Sequence, residues 1–238
     1  MDSNGPNKPI IVALDFPSSD DALRFTDKLD PHVCRLKVGF ELFVSAGPPL
    51  IRNLVSRNFD VFLDLKFCDI PNTVASACVA ASKLGIWMLN VHATGGIAMM
   101  RAARNAIRGL ASPPKLIAVT VLTSLDDADL KEFGINRTVN DQTIKLAELA
   151  QSTGIDGVVC SPQDASALRQ QYGEEFLLIT PGIRLQGDAS NDQKRILSPL
   201  QAIRAGANFL VVGRSITQST DPLSVVHAIN DQLSAKLD

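Results

Sequence analysis

Two carboxylates and an amine fall within one short stretch, Asp64-Leu-Lys66-Phe-Cys-Asp69-Ile-Pro-Asn-Thr73, directly after the apolar run Val61-Phe-Leu63. Side chains alternate along a strand, so Asp64 and Lys66 are expected on one face. Asp69 follows just past the strand, in a turn that Pro71 fixes and Thr73 leads out of. Like charges this close raise each other's pKa, and a lysine between them keeps both ionised. Such an array is costly to assemble unless chemistry requires it. The segment reads as catalytic: an ammonium held between carboxylates can stabilise a developing negative charge and then deliver a proton.

Positioning such a group requires a rigid frame, and the rest of the chain supplies one. Short apolar runs recur at Ile10-Leu14, Cys34-Val38, Val61-Leu65, Trp87-Val91, Leu116-Leu122, Gly157-Cys160, Phe176-Ile179 and Phe209-Val212. Most lack strict apolar–polar alternation, which suits strands buried on both faces of a parallel sheet. Helical patterns lie between them, at Asp20-Leu29, Pro48-Arg57, Thr73-Leu84, Gly96-Gly109, Asn140-Ser152, Pro162-Tyr172, Pro199-Ala205 and Pro222-Leu237. Eight strand–helix units in 238 residues predict an α/β fold, a (β/α)8 TIM barrel in a single domain. A doubly wound open sheet would carry a glycine-rich fingerprint after its first strand, and Leu14-Asp15-Phe16-Pro17 has none. No linker divides the chain. Residues 1–9 are read as a flexible N-terminal tail and residues 10–238 as the catalytic barrel.

Composition narrows the function classes. A net charge of −2 and a pI near 5.9 argue against nonspecific binding of nucleic acid or membrane surfaces, which favour basic proteins. The polar start, Met1 to Pro9, lacks the apolar core of a signal peptide, and no run is long enough to span a bilayer. Cys34, Cys68, Cys78 and Cys160 are scattered without a Cys-x-x-Cys pair, so they read as buried thiols of a reducing compartment. A cytoplasmic protein is expected.

In barrels of this kind the chemistry sits at the carboxyl ends of the strands. There the sequence places Asp15, Lys37, Asp64 with Lys66, His92, Thr123-Ser124, Thr180-Pro-Gly-Ile-Arg184 and Gly213-Arg214-Ser215. The loops after strands seven and eight are the usual phosphate site of the fold. Gly213 lets a phosphate approach the backbone, and Arg184 and Arg214 can each grip phosphate oxygens in bidentate fashion. The polar segment from Leu185 to Arg195 has the composition of a lid that orders over a ligand. His92 reads as a hydrogen-bonding rim residue rather than a base.

The motifs Asp-Leu-Lys-Phe-Cys-Asp-Ile-Pro-Asn-Thr, Thr-Pro-Gly-Ile-Arg and Val-Val-Gly-Arg-Ser-Ile-Thr-Gln together resemble the signatures of the orotidine 5′-monophosphate decarboxylases of bacterial type. The likeness runs from Ile10 to about Leu233. The first motif is close to diagnostic in full, whereas its core Asp-x-Lys-x-x-Asp also occurs in magnesium-dependent sugar-phosphate barrels. The resemblance implies conversion of orotidine 5′-monophosphate to uridine 5′-monophosphate in pyrimidine synthesis, with no metal or organic cofactor. By the same likeness Lys66 protonates ring carbon 6, Asp64 lies beside the substrate carboxylate, and Lys37 joins the alternating charges. Asp15 and Lys37 would contact the ribose, and Thr123 the pyrimidine, with Ser124 as a possible substitute. Arg184, Gln193, Gly213 and Arg214 would hold the phosphate. The resemblance further implies a homodimer in which Asp69 and Thr73 reach into the partner's site.

The chemistry fits these residues. Loss of carbon dioxide from ring carbon 6 leaves a carbanion whose lone pair lies outside the ring π system, and no electron-sink cofactor motif is present. Fixed charge must then do the stabilising, as a cationic Lys66 at that carbon would. Three other readings compete: a magnesium-dependent sugar-phosphate lyase or epimerase, a catalytically silent phosphate-ligand binder, and a Schiff-base aldolase. The second needs no Asp–Lys–Asp array, and the third needs a neutral lysine that two carboxylates disfavour.

Overall fold

The computed structural model describes residues 8–185 and 197–234. Eight strands, β1 (Ile10–Leu14), β2 (Arg35–Val38), β3 (Val61–Phe67), β4 (Met88–His92), β5 (Lys115–Val119), β6 (Gly157–Val159), β7 (Leu177–Thr180) and β8 (Phe209–Val212), pair in parallel in chain order. Ile10 of β1 pairs with Leu210 of β8, which closes the barrel. The helices are α1 (Ser19–Thr26), α2 (Phe40–Ser56), α3 (Pro71–Ser82), α4 (Gly96–Arg108), α5 (Asp127–Glu132), α6 (Val139–Ser152), α7 (Ala165–Tyr172), α8 (Pro199–Arg204), α9 (Arg214–Thr217) and α10 (Pro222–Ser234). No helix among the described residues is long and apolar enough to cross a membrane.

The two faces of each strand are buried against different layers. Residues such as Leu36, Leu63, Leu89 and Leu210 point outward into the apolar layer beneath the helices. Ile11, Phe62, Met88, Ile117, Ile179 and Val211 point inward and fill the barrel's middle. Burying a side chain of this size contributes about 1.5–3 kcal/mol, so the filled interior is a principal source of the rigidity the site needs. Below it, the Arg35 guanidinium stacks 4.4 Å from the Trp87 ring and 5.0 Å from Phe209 and pairs with Asp60 at 3.3 Å. That stack closes the amino-terminal end of the barrel. Gly157 is required where β6 meets β7, since a Cβ there would overlap the Leu177 carbonyl.

Several boundaries differ from those expected from the sequence. The second helix begins at Phe40 rather than Pro48, because Gly47 takes a left-handed turn (φ 63°) that joins two helical segments. Pro48 and Pro49 then open the second segment, where an N–H is not needed. β5 stops at Val119 rather than Leu122; the Thr120 N–H still donates to the Val159 carbonyl, where β6 ends, and the pairing goes no further. Helix α5 was not expected at all; it is a short turn held by reciprocal capping between Asp126 and Asp129. The four cysteines form no disulfide, but Cys68 is exposed rather than buried. Burial pushes the Cys34 and Cys78 thiols up to about 12, so both are inert near neutral pH.

Candidate active site

Alternation brings Lys37, Asp64, Asn90 and Val119 to the inner face of the barrel, one layer above the apolar filling. Lys66 reaches the same place by a different route. Leu63 pairs with Leu89 and Phe67 with Val91, so β3 advances four residues while β4 advances two. The extra length is taken up in a bulge where Lys66 adopts φ 45°, a strained region for a side chain with a Cβ. Simple strand alternation therefore gave the right neighbours for an incomplete reason. The bulge turns the lysine back over its own strand.

The result is a chain of alternating charge. Asp15 Oδ1 lies 3.5 Å from Lys37 Nζ, which lies 3.4 Å from Asp64 Oδ2. Asp64 Oδ1 in turn accepts a hydrogen bond from Lys66 Nζ at 2.7 Å. Asp64 is 9% exposed, so its environment decides its charge state. Burial pushes its carboxyl up, but Lys37 and Lys66, with hydrogen bonds from Lys66 and Asn90, outweigh that and hold it below its ordinary range. The Lys66 ammonium also sits 5.1 Å from the centre of the Phe40 ring. His92 is half-buried and shares a 2.7 Å hydrogen bond with Thr94 Oγ1. Burial and the Lys66 charge both push its imidazole down, which keeps it neutral near pH 7. Its expected role as a rim hydrogen-bonding residue fits this geometry.

A cavity of about 660 Å³ opens over this array. Asp15, Lys37, Asp64 and Lys66 form one wall, and Phe62, Val119, Val159 and Val211 form an apolar floor. Arg184, Gly213 and Arg214 lie on the rim that follows β7 and β8, with Thr217 and Gln218, and Gly213 adjoins Asp15 across the β8–β1 seam. The space is large enough for a nucleotide-sized ligand with one anionic end and one end over the charges. Thr123 lines the cavity and the exposed Ser124 does not, which separates two candidates that the sequence left together. Asp69 and Thr73 are exposed and do not line the cavity of their own chain. Gln193 and residues 186–195 of the proposed lid lie outside the described residues. The segment's flanks meet where Arg184 N–H donates to the Leu197 carbonyl at 3.1 Å.

Sequence reasoning missed Phe16, Phe40, Asn90, Thr217 and Gln218, all at or beneath the cavity. Asn90 left one usable signal, a lone amide in the apolar run Trp87-Met-Leu-Asn-Val91. Among the described residues no group of three or more His, Cys, Asp or Glu is gathered as metal ligands would be.

The sequence model of the orotidine 5′-phosphate decarboxylase / HUMPS family matches residues 8–229. The chain belongs to this family. Within the family, it is 54% identical over 225 residues to the orotidine 5′-phosphate decarboxylase of Nitrosococcus oceani, covering 94% of this chain and 97% of that one. It is 53% identical to the enzyme of the same name from Chromobacterium violaceum, across 96% and 93% of the two chains. The crystal structure of orotidine 5′-phosphate decarboxylase from Lactobacillus acidophilus superposes with a TM-score of 0.86 at 39% identity, covering 95% of this chain and 99% of that chain. That crystal structure shares the barrel fold described above.

Proposed function

We propose that this chain decarboxylates orotidine 5′-monophosphate to uridine 5′-monophosphate and carbon dioxide in pyrimidine biosynthesis, with no metal or organic cofactor, and that Lys66 supplies the proton. The observation that carries the reading is the Asp15–Lys37–Asp64–Lys66 chain facing a cavity with two arginines on its rim. Similarity to decarboxylases over nearly the whole chain supports the same substrate.

The residues divide the work by position. Arg184 and Arg214, with Gly213 and Gln193, hold the phosphate at the far rim, and Asp15 and Lys37 meet the ribose hydroxyls. Thr123 contacts the pyrimidine, whose faces rest on the apolar floor. That arrangement sets the substrate carboxylate beside Asp64. The Asp64 carboxyl is held ionised, so repulsion between the two carboxylates is relieved as carbon dioxide leaves. As the carbon–carbon bond breaks, its electron pair stays on ring carbon 6. The Lys66 ammonium stabilises that pair in a site shielded from water and then transfers its proton to it. Asp64 keeps the ammonium aimed through their 2.7 Å contact.

The proposal extends to a cytoplasmic homodimer with shared sites, in which residues 10–238 form one catalytic domain. Phe40 (54% exposed), Val44 (83%), Ile70 (67%) and Ile97 (38%) leave apolar surface on the segments after three adjacent strands, β2, β3 and β4. Asp69 and Thr73, on the segment after β3, are exposed and lie outside the lining of their own cavity. An isologous contact here would carry each pair into the partner's site.

Mixing two inactive variants tests this arrangement. Lys66→Ala and Asp69→Ala proteins, each nearly inactive alone on orotidine 5′-monophosphate, recover up to about a quarter of wild-type activity after subunit exchange. Half the dimers are then mixed, and each mixed dimer rebuilds one intact site. No recovery despite proven exchange, or a fully active monomer, contradicts the shared site.

A further inference from the structure

We propose that Asn90 is a positioning residue for the reaction, a clamp that fixes Asp64 and Lys66 relative to each other from the neighbouring strand. This rests on the roles proposed above for those two residues. Asn90 is fully buried on β4, inside the barrel and beneath the cavity. Its Nδ2 donates to Asp64 Oδ1 at 2.7 Å, and its Oδ1 accepts from the Lys66 backbone N–H at 2.7 Å. Rotating the amide would set oxygen against carboxylate and N–H₂ against N–H, so its orientation is fixed by its two partners.

Both contacts lie where β3 leaves its regular ladder. Between Leu63 and Phe67 the backbone pairing with β4 is interrupted, and the half-buried Lys66 N–H would be left without its ladder partner. The Asn90 side chain replaces the missing ladder acceptor and thereby holds the left-handed Lys66 backbone in place. With its other end it occupies the same Asp64 oxygen that receives the Lys66 ammonium. One amide therefore sets the rotamer of the carboxylate and the exit direction of the lysine. Lys37 fixes the other carboxylate oxygen, so Asp64 is held from three sides. The geometry is a small version of the supporting hydrogen bonds that keep reacting groups within a few tenths of an ångström of their working positions.

Asn90 does not itself line the cavity and reaches it only through Asp64 and Lys66, so its loss acts through aim rather than binding. Asn90→Ala is expected to lower kcat about a hundredfold, the scale of an ångström-size misplacement, while the Kd of uridine 5′-monophosphate stays within about threefold. Asn90→Asp is the same size and keeps the acceptor for Lys66 N–H, but it turns the donor to Asp64 into a second carboxylate. The two acids would share protons as a coupled pair. Asp64 and Lys66 on β3 face position 90, with Lys37 and Asp15 further along the chain of charge and His92 above it on β4. β5 brings no titratable side chain between Leu116 and Val119, α3 carries only Cys78, Arg104 of α4 is engaged with Asp156, and Arg101 and Arg108 are exposed. Lowering the pH would protonate the pair and restore an O–H donor to Asp64. The kcat of Asn90→Asp, taken as a ratio to the wild type at each pH, is therefore expected to rise as pH falls.

The experiment is steady-state decarboxylation of orotidine 5′-monophosphate by both variants across pH, with Kd of the product by calorimetry. Asn90→Ala turnover within threefold of the wild type, a pH-independent ratio for Asn90→Asp, or an equal loss of product affinity overturns the proposal. Lys66→Ala assayed alongside separates the two levels. If it is inactive while Asn90→Ala is normal, only the clamp fails; if both turn over normally, the roles of Asp64 and Lys66 fail as well.

Discussion

Lys66→Ala is expected to lose nearly all turnover and still bind uridine 5′-monophosphate. Two contributions disappear together. The fixed charge at ring carbon 6 is of the kind worth about a hundred- to a thousandfold when a single stabilising donor is removed. The proton donor is worth another factor of about a hundred or more. Their product places the loss on the order of ten thousandfold or greater. On the proposed roles the product nucleotide keeps its phosphate contacts to Arg184 and Arg214 and its ribose contacts to Asp15 and Lys37, so its Kd should change by less than about tenfold. The alanine variant also leaves Asp64 with Lys37 and Asn90, and the fold should survive. Stopped-flow or steady-state absorbance for turnover, with calorimetry for binding, reads both halves. Turnover within tenfold of the wild type removes Lys66 from its role.

Arg214→Ala is expected to lower kcat/KM by several powers of ten although the residue follows β8 and the proposed proton donor Lys66 sits on β3. Hydrogen bonds between charged groups contribute about 1.5–3 kcal/mol each, and a bidentate grip makes two of them. That energy is used to draw the substrate into the charged wall and to exclude water there. The effect should depend on the phosphate. Orotidine, the nucleoside without it, should be turned over equally slowly by variant and wild type. A normal kcat/KM with the nucleotide, or an equally large loss with the nucleoside, places Arg214 elsewhere.

Much of this site could be read from residue types at strand ends. Asp64, Lys66, Arg184 and Arg214 are charged residues in otherwise apolar surroundings, and the eight-fold strand repeat says where they gather. Other parts were hidden for physical reasons. Asn90 is a neutral amide whose role exists only because a bulge in β3 takes away a backbone partner, and no local pattern announces that bulge. Phe40 escapes notice because Gly47-Pro48-Pro49 masks a helix that begins earlier than Pro48. Thr217 and Gln218 sit on or just past the four-residue α9, too short to show a period. Asp69 and Thr73 do not line their own chain's cavity, so a single chain does not display the part proposed for them.

The central claim, decarboxylation by fixed charge without a metal, is tested most directly by ultraviolet absorbance. Purified protein is mixed with orotidine 5′-monophosphate, with and without excess EDTA, and the product is identified. The account predicts loss of the orotidine absorbance at the same rate in both samples, with uridine 5′-monophosphate formed. An unchanged spectrum from folded protein, or a reaction that the chelator stops, contradicts it.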